Sequence, residues 1–339
     1  MMIQDALDQF FLGQDLSHDQ MVGAMRMIMG GSVSAELIAG FLVGLQVKGY
    51  TVTEMTAAAE VMRELSSKVE VVDKERLVDT CGTGGDGTKT FNISTAASFV
   101  VAAAGGRVAK HGGRSVSSAS GSADVLEALG ARIDLEPDQV SECLNVVGVG
   151  FMFAPAHHSA MKHAAPVRRA LGIKTLFNVL GPLTNPAGAK RQVMGVYDPA
   201  LLVKQAQVLQ NLGSSRAMIV RGDNGLDEIS PAGLTHIAEL HEGRISEYTV
   251  SVEDFGLHPV ELSSLTVDGV EQAVKMLRDS LSGTFNQGKT AVSLNAGAAL
   301  YVLGLRGSLE ESVAFAMSVI ESGAARDKLE EFVEYSNAI

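Results

Sequence analysis

Two clusters of residues stand out for the chemistry their types and spacing permit. The run Asp79-Thr80-Cys81-Gly82-Thr83-Gly84-Gly85-Asp86-Gly87 follows a short apolar segment, and Asn92-Ile93-Ser94-Thr95 then opens a helical stretch. A strand, a glycine-rich turn and a helix N-terminus together present backbone N–H groups and a positive dipole end to an anion. The run matches neither GxxxxGK[ST] nor the dinucleotide fingerprint GxGxxG, and by itself such a turn is as readily a tight structural turn as a phosphate cradle. The second cluster, Lys110-His111-Gly112-Gly113-Arg114-Ser115-Val116-Ser117-Ser118, ends the next predicted strand. Carboxyl ends of adjacent parallel strands share one crevice, so both loops are expected to face the same space. Ten of the 36 glycines fall in residues 82–130, and Lys89, Lys110, His111 and Arg114 lie beside them. That concentration in an acidic chain favours an anion site over a solvated charged loop.

The elements that must position these loops follow from periodicity. From about Leu77, short β-branched runs, glycine turns and helical stretches alternate, which predicts an α/β fold with a mainly parallel sheet flanked by helices. Strands are expected near Leu77–Thr80, Arg107–Lys110, Val149–Phe153, Gln192–Val196 and Ala217–Val220, and a hairpin from Thr235–Leu240 and Ile245–Val250. Helices are expected near Ser94–Ala104, Ala123–Leu129, Pro137–Val146, Ser159–Leu171 and Pro199–Leu212. Ahead of them lies an all-helical unit with capping boxes at Ser17/Gln20 and Thr51/Glu54. Its short apolar stripes need a partner surface, in the rest of the chain or a second copy. We therefore expect a helical domain over 1–72, with helices near 159–185 packed on it, and a catalytic α/β domain over 73–339.

Composition narrows the function classes. The chain has 339 residues, 46% apolar and 19% charged, the profile of an ordinary globular protein. A net charge of −12, no tryptophan and 5% aromatic residues argue against a general nucleic-acid binder. Cys81 and Cys143 can form neither a disulfide framework nor a four-cysteine zinc site, so a cytoplasmic location is expected. No window approaches about 18 uninterrupted apolar residues, and neither secretion nor membrane insertion is expected.

The DTCGTGGD run, the NIST helix start, the KHGGRSVSS loop, the FNVLGPLTNPAG stretch at Phe177–Gly188 and the LDEIS run at Leu226–Ser230 together resemble anthranilate phosphoribosyltransferase of tryptophan biosynthesis. The likeness spans nearly the whole chain, in order and spacing. It implies a nucleoside phosphorylase-like architecture, a homodimer formed through the helical domain, and transfer of phosphoribose from 5-phosphoribosyl 1-diphosphate to the amine of anthranilate. It also implies magnesium, two ions per site. By the same resemblance Gly82, Gly85, Asp86 and Thr90 form the diphosphate loop, and Asn92, Ile93, Ser94 and Thr95 the phosphate-holding helix start. Lys110, His111, Gly112, Gly113, Arg114, Ser115, Val116, Ser117 and Ser118 wrap the donor, with Ser122 as the last contact. Ser94, Asp227 and Glu228 are implied magnesium ligands, and hard oxygen donors suit that ion. Gly82, His111, Gly113, His158 and Arg168 are implied on the acceptor side, where a guanidinium fits the anthranilate carboxylate. No covalent nucleophile is implied.

The nearest alternative is a pyrimidine nucleoside phosphorylase-like enzyme, which uses phosphate as nucleophile and lacks the metal carboxylates. Asp227-Glu228 speaks against it. A non-catalytic nucleic-acid-binding homologue of the same fold is opposed by the net charge. One departure from the family pattern is Gly113, where the loop ordinarily reads KHGNR. A missing side-chain amide removes a polar contact to the acceptor, at a cost on the order of 1 kcal/mol. Gly113→Asn is therefore expected to lower the Michaelis constant for anthranilate several-fold with donor binding little changed, and an unmoved anthranilate constant would refute this reading.

Overall fold

Residues 2–114 and 120–339 are described in the computed structural model of the chain, so Ser115, Val116, Ser117 and Ser118 lie outside the described residues. The N-terminal unit consists of α1 (Ile3–Phe11), α2 (His18–Met29), α3 (Ala35–Lys48) and α4 (Val52–Glu64). Both expected capping boxes form: Ser17 and Gln20 exchange side-chain and backbone bonds at the start of α2, as do Thr51 and Glu54 at α4. Glu54 does more than cap. Wholly buried, it accepts from Leu16 N (2.9 Å), from Thr51 N (2.8 Å) and from the nearly enclosed Lys48 Nζ (3.0 Å). Met21, Ala24, Met25 and Ile28 of α2 and Ile38, Phe41, Leu42 and Leu45 of α3 bury the predicted faces.

The sheet has seven strands: β1 (Leu77–Asp79), β2 (Arg107–Gly112), β3 (Val149–Phe153), β4 (Arg191–Gly195), β5 (Arg216–Gly222), β6 (Thr235–His241) and β7 (Arg244–Val250). Their order is β3-β2-β1-β4-β5-β6-β7; the first five are parallel, and the predicted hairpin adds β6 and β7 antiparallel at one edge. Alternate residues of the strands serve opposite cores, as the pleat requires. Val193, Met218, Val220 and Ile237 face one layer, built from α5 (Ile93–Ala103), α6 (Ser122–Ala128), α7 (Pro137–Val146) and the C-terminal helices of residues 270–338. Met194, Ala217, Ile219, Ala238 and Leu240 face the other, whose apolar core runs without a break into the N-terminal helices.

That second layer includes α8 (Ala154–His157), α9 (Ala165–Leu171), α10 (Leu176–Leu180) and α11 (Leu201–Asn211). The single helix expected over Ser159–Leu171 is instead a 3₁₀ turn at Ser159–His163 followed by α9. Pro166 has no N–H to bond back into the preceding turn, so the chain restarts a helix with proline in its first turn. Val167 of α9 and Leu176, Phe177, Val179 and Leu180 of α10 are buried in the same core as α3 and α4. Among the described residues no helix is long and apolar enough to cross a membrane.

Without the Glu54 carboxylate, Lys48 keeps Asp15 as an ion-pair partner (2.6 Å), so the cost falls on the buried backbone donors left unpaired, at about 1–3 kcal/mol each. Glu54→Leu leaves both Leu16 N–H and Thr51 N–H without that acceptor. The variant is expected to lose about 3 kcal/mol or more of unfolding free energy in a urea melt, and a loss below about 1 kcal/mol would show that water replaces Glu54 freely.

Candidate active site

The chain runs from β1 outward to β2 and β3, then crosses back to lay β4 on the other side of β1. The carboxyl ends of β1 and β4 thus flank a topological switch point, where open α/β sheets bind ligands. The glycine loop 82–87 leaves β1 there, and Gly195 ends β4 beside it. Gly84, Gly85 and Gly87 take positive φ of 63°, 75° and 77°, which only glycine adopts without strain. Thr83 N donates to Gly195 O (2.8 Å), Tyr197 N to Thr83 Oγ1 (3.2 Å), and Gly84 N to Asp227 Oδ2 (2.8 Å). Lys174 Nζ closes the ring of contacts on Gly85 O (2.7 Å). Asp86 accepts from Thr88 N and Oγ1 and lies 3.5 Å from Asp227 N. Thr90 pairs with Thr266, anchoring the far end of the loop.

Asp227 and Glu228 reach this loop across the sheet because Gly195 lets them. A Cβ on Gly195 would sit 1.5 Å from Asp227 O, and one on Gly82 would lie 3.1 Å from Asp227 Oδ2. Glu228 Oε1 accepts from Ser94 N (3.1 Å) at the start of α5, a seat favoured by the helix dipole. Lys110, 4% exposed, projects from β2 to Ser94 Oγ (3.2 Å) and Thr80 O (3.3 Å). Ser94, Lys110, Asp227 and Glu228, distant in sequence, therefore surround one crevice. Burial, then the charge of Asp227, pushes the Glu228 carboxyl up to about 8; burial and Asp86 likewise raise Asp227. Both keep a partial opening to the crevice while most of their water is removed.

Among the described residues neither carboxylate has an ion-pair partner, and the nearby Lys110 offsets only part of the cost at Glu228. A hard divalent cation would supply the remaining countercharge, and the oxygens of Asp227, Glu228 and Ser94 are the right donor type. Among the described residues no three His, Cys, Asp or Glu side chains converge on one point, so ligand oxygens and water would complete the shell, as magnesium prefers.

Of the remaining donor-side residues, Asn92 exchanges bonds with Ser120 (3.2 and 2.9 Å). Ile93 is buried and offers only its backbone. Thr95 Oγ1 is enclosed and, among the described residues, has no hydrogen-bond partner. Gly112 is pressed against Ser122, whose Oγ would be 2.1 Å from an added Cβ, whereas among the described residues nothing lies within 4 Å of a Cβ added at Gly113. Arg114 turns to the flank of α6, pairing with Glu127 (2.7 Å) and Asp124 (3.2 Å).

On the acceptor side, the His111 and His158 rings meet edge to face at 4.9 Å. Burial, then the neighbouring histidines, depresses His111 to about 3; burial and His157 bring His158 to about 4. Both are neutral at pH 7, and among the described residues the buried Nε2 atoms of both have no hydrogen-bond partner. Arg168 on α9 is half-buried over the Phe177 ring (5.4 Å), and among the described residues it makes no ion pair. Arg169 beside it is exposed. Cys81 is a packed residue whose thiol burial pushes far up, so it is no nucleophile.

Gly195, Tyr197, Lys174 and Asn185 escaped sequence reasoning. Asn185 Nδ2 bridges Asp79 Oδ2 (2.7 Å) and Ala109 O (2.9 Å), tying the Phe177–Gly188 stretch to β1 and β2. Asp79 in turn holds Cys81 N (3.0 Å), and burial raises its carboxyl to about 6. A glycine closing a strand opposite another glycine loop was the only available sign of Gly195.

Residues 4–66 match a family described as the helical bundle domain of a glycosyl transferase family, and residues 74–326 match its a/b domain. An anthranilate phosphoribosyltransferase of Methylobacillus flagellatus is 53% identical over 98% of both chains. One of Nitrosospira multiformis is 54% identical, covering 98% of this chain and 96% of its own. Among solved structures, the Thermus thermophilus anthranilate phosphoribosyltransferase superposes with a TM-score of 0.92 at 41% identity, over 98% of this chain and 99% of its own. The Saccharomyces cerevisiae enzyme in complex with PRPP and Mg does so at 0.91 and 27% identity, over 99% of this chain and 98% of its own. Matched over nearly its whole length by relatives more than half identical to it, the protein belongs to the anthranilate phosphoribosyltransferase family.

Proposed function

We propose that the crevice at the β1/β4 switch point transfers phosphoribose from 5-phosphoribosyl 1-diphosphate to the amine of anthranilate, releasing diphosphate and N-(5-phosphoribosyl)anthranilate. The chain is then a pentosyltransferase of tryptophan biosynthesis. The observation that carries this reading is the convergence of Ser94, Lys110, Asp227 and Glu228 on the glycine loop. Relatives named for this activity support it over a phosphorylase.

In this reading the backbone of Gly82–Gly85, the α5 N-terminus and Lys110 hold the anionic donor, with Asp86, Thr90, Asn92, Thr95, Gly112 and Ser122 shaping its seat. Magnesium, two ions per site, is held by Asp227, Glu228 and Ser94; when bound it offsets the charge gathering on the departing diphosphate. Arg168 takes the anthranilate carboxylate, and the neutral His111 and His158 wall the acceptor path without placing a cation there. Anthranilate carries a neutral aromatic amine at pH 7. Attack at C1 of the ribose therefore needs positioning and leaving-group stabilisation more than a base.

We read the chain as a helical domain over 1–72 and a catalytic domain over 73–339, working as a cytoplasmic homodimer. Phe11, Leu12, Val43 and Val47 leave an apolar surface on α1 and α3, with Phe11 80% and Val47 84% exposed, in support of a dimer through the helical domain.

Loss of anthranilate fluorescence on mixing with 5-phosphoribosyl 1-diphosphate tests the reaction. Turnover is expected only with magnesium and should fall at least about 100-fold in Asp227→Asn or Glu228→Gln. Arg168→Ala should raise the anthranilate Michaelis constant at least about tenfold. No anthranilate loss with magnesium present would sink the assignment. The histidines make a separate prediction. Their folded pKa values lie below the unfolded 6.5, so the stability they contribute is complete above that pH and is lost as pH falls towards 4 and 3. Thermal midpoints should drop between pH 6.5 and 4, and His158→Gln should flatten the drop; an unchanged slope would contradict the neutral pair.

A further inference from the structure

Lys174 lies in the four-residue bridge, 172–175, between α9 and α10. Gly172 caps α9 in the left-handed conformation at φ 62°, and Thr175 opens α10 with its N–H on Asn178 Oδ1 (2.9 Å). The backbone on either side of Lys174 is thus fixed. Its side chain crosses to the glycine loop, where Nζ donates to Gly85 O at 2.7 Å and stands 3.4 Å from the centre of the Tyr197 ring. Tyr197 is itself bonded to the loop through Thr83 Oγ1 (3.2 Å).

We propose that Lys174 is a positioning residue that holds the glycine loop in its donor-receiving shape by gripping the Gly85 carbonyl. The inference rests on the reading of that loop as the diphosphate seat. Each end of the loop has its own anchor. Thr83 is tied to β4 and to Tyr197, Gly84 is tied to Asp227, and the chain beyond Lys89 is tied to Thr266 and Val267. Gly84, Gly85 and Gly87 between these anchors are all in left-handed conformations, the residues with the most backbone freedom to lose. Among the described residues Lys174 is the side chain that bonds Gly85, and an added Cβ there would lie 3.4 Å from Lys174 Cε.

Lys174 is exposed, where a lysine ordinarily pairs with a carboxylate or extends into water. Lys174 makes no ion pair among the described residues, and its ammonium rests on an aromatic face instead. A charged donor on a carbonyl makes a stronger bond than a neutral one. The bridge also follows Arg168 by six residues, so the segment bearing the acceptor-side arginine grips the donor loop. An unrestrained loop would have to be ordered by the donor itself, which weakens donor binding and leaves the acceptor pocket intact.

The test compares wild type with Lys174→Met and Lys174→Arg, using steady-state kinetics and calorimetric titration with 5-phosphoribosyl 1-diphosphate and magnesium. Lys174→Met should raise both the Michaelis and the dissociation constant for the donor about tenfold, with the anthranilate constant within about twofold of wild type. Its thermal midpoint should stay within about 2 °C. Lys174→Arg, still able to donate to Gly85, should recover most of the loss. A donor constant unmoved in Lys174→Met, equal shifts in both substrates, or no recovery with arginine overturns the proposal while the transfer activity of the wild type stands. A wild-type protein that neither binds the donor nor consumes anthranilate overturns the function and this proposal together.

Discussion

Everything at the candidate site depends on one close approach of backbones. Gly195 at the end of β4 lies flush against the Asp227 main chain, and Gly82 after β1 packs against both. Without side chains at those two positions, the Asp227-Glu228 turn can descend to the strand ends and the glycine loop can lean on it. A single methyl at Gly195 would overlap the Asp227 carbonyl, and the carboxylates would have to withdraw from the crevice they share with Ser94 and Lys110. Placing β1 and β4 side by side is a matter of topology, since the crossover to β4 is what opens a gap between diverging connections.

Electrostatics then says what the gap is for. Lys110 is nearly enclosed without a carboxylate in ion-pair contact among the described residues, while Asp227 and Glu228 are held so dry that both resist ionising. A cationic side chain beside the loops and a pair of reluctant carboxylates form a poor resting arrangement. They become mutually satisfied when a polyanion and a divalent cation arrive together. The histidine pair is the opposite case. Buried and neutral, His111 and His158 add no charge beside the crevice, in keeping with the acceptor path proposed for them.

The helical unit is not an accessory to this arrangement. Its core is continuous with one face of the sheet and with α9 and α10, so the segment carrying Arg168 is supported from beneath by the N-terminal helices. Phe177–Gly188 then passes over the strand ends: Asn185 binds Asp79 and Ala109, and Pro182 O accepts from Gln192 (2.8 Å). The proposed donor and acceptor sides thereby share one connected polar frame beneath the crevice.

Local order was legible in the sequence because it is a matter of spacing. The capping boxes at Ser17 and Thr51, the apolar stripe of α2, the five parallel strands and the edge hairpin follow from periodicity and turn chemistry, which act over a few residues. The glycine loop and the Lys110 loop stood out as a candidate anion site because glycine and basic residues are concentrated there. The break at Pro166 was the local exception, where an apolar helical pattern outweighed a proline that forces a restart. What only the tertiary structure decided are contacts between residues far apart in sequence. Asp227 and Gly195, Glu228 and Ser94, and Lys174 and Gly85 are joined by strand order and by the absence of side-chain volume, neither of which is written in any one segment. The chain by itself determined which residues can hold phosphate; the order in which the sheet stacks its strands decided which of them meet.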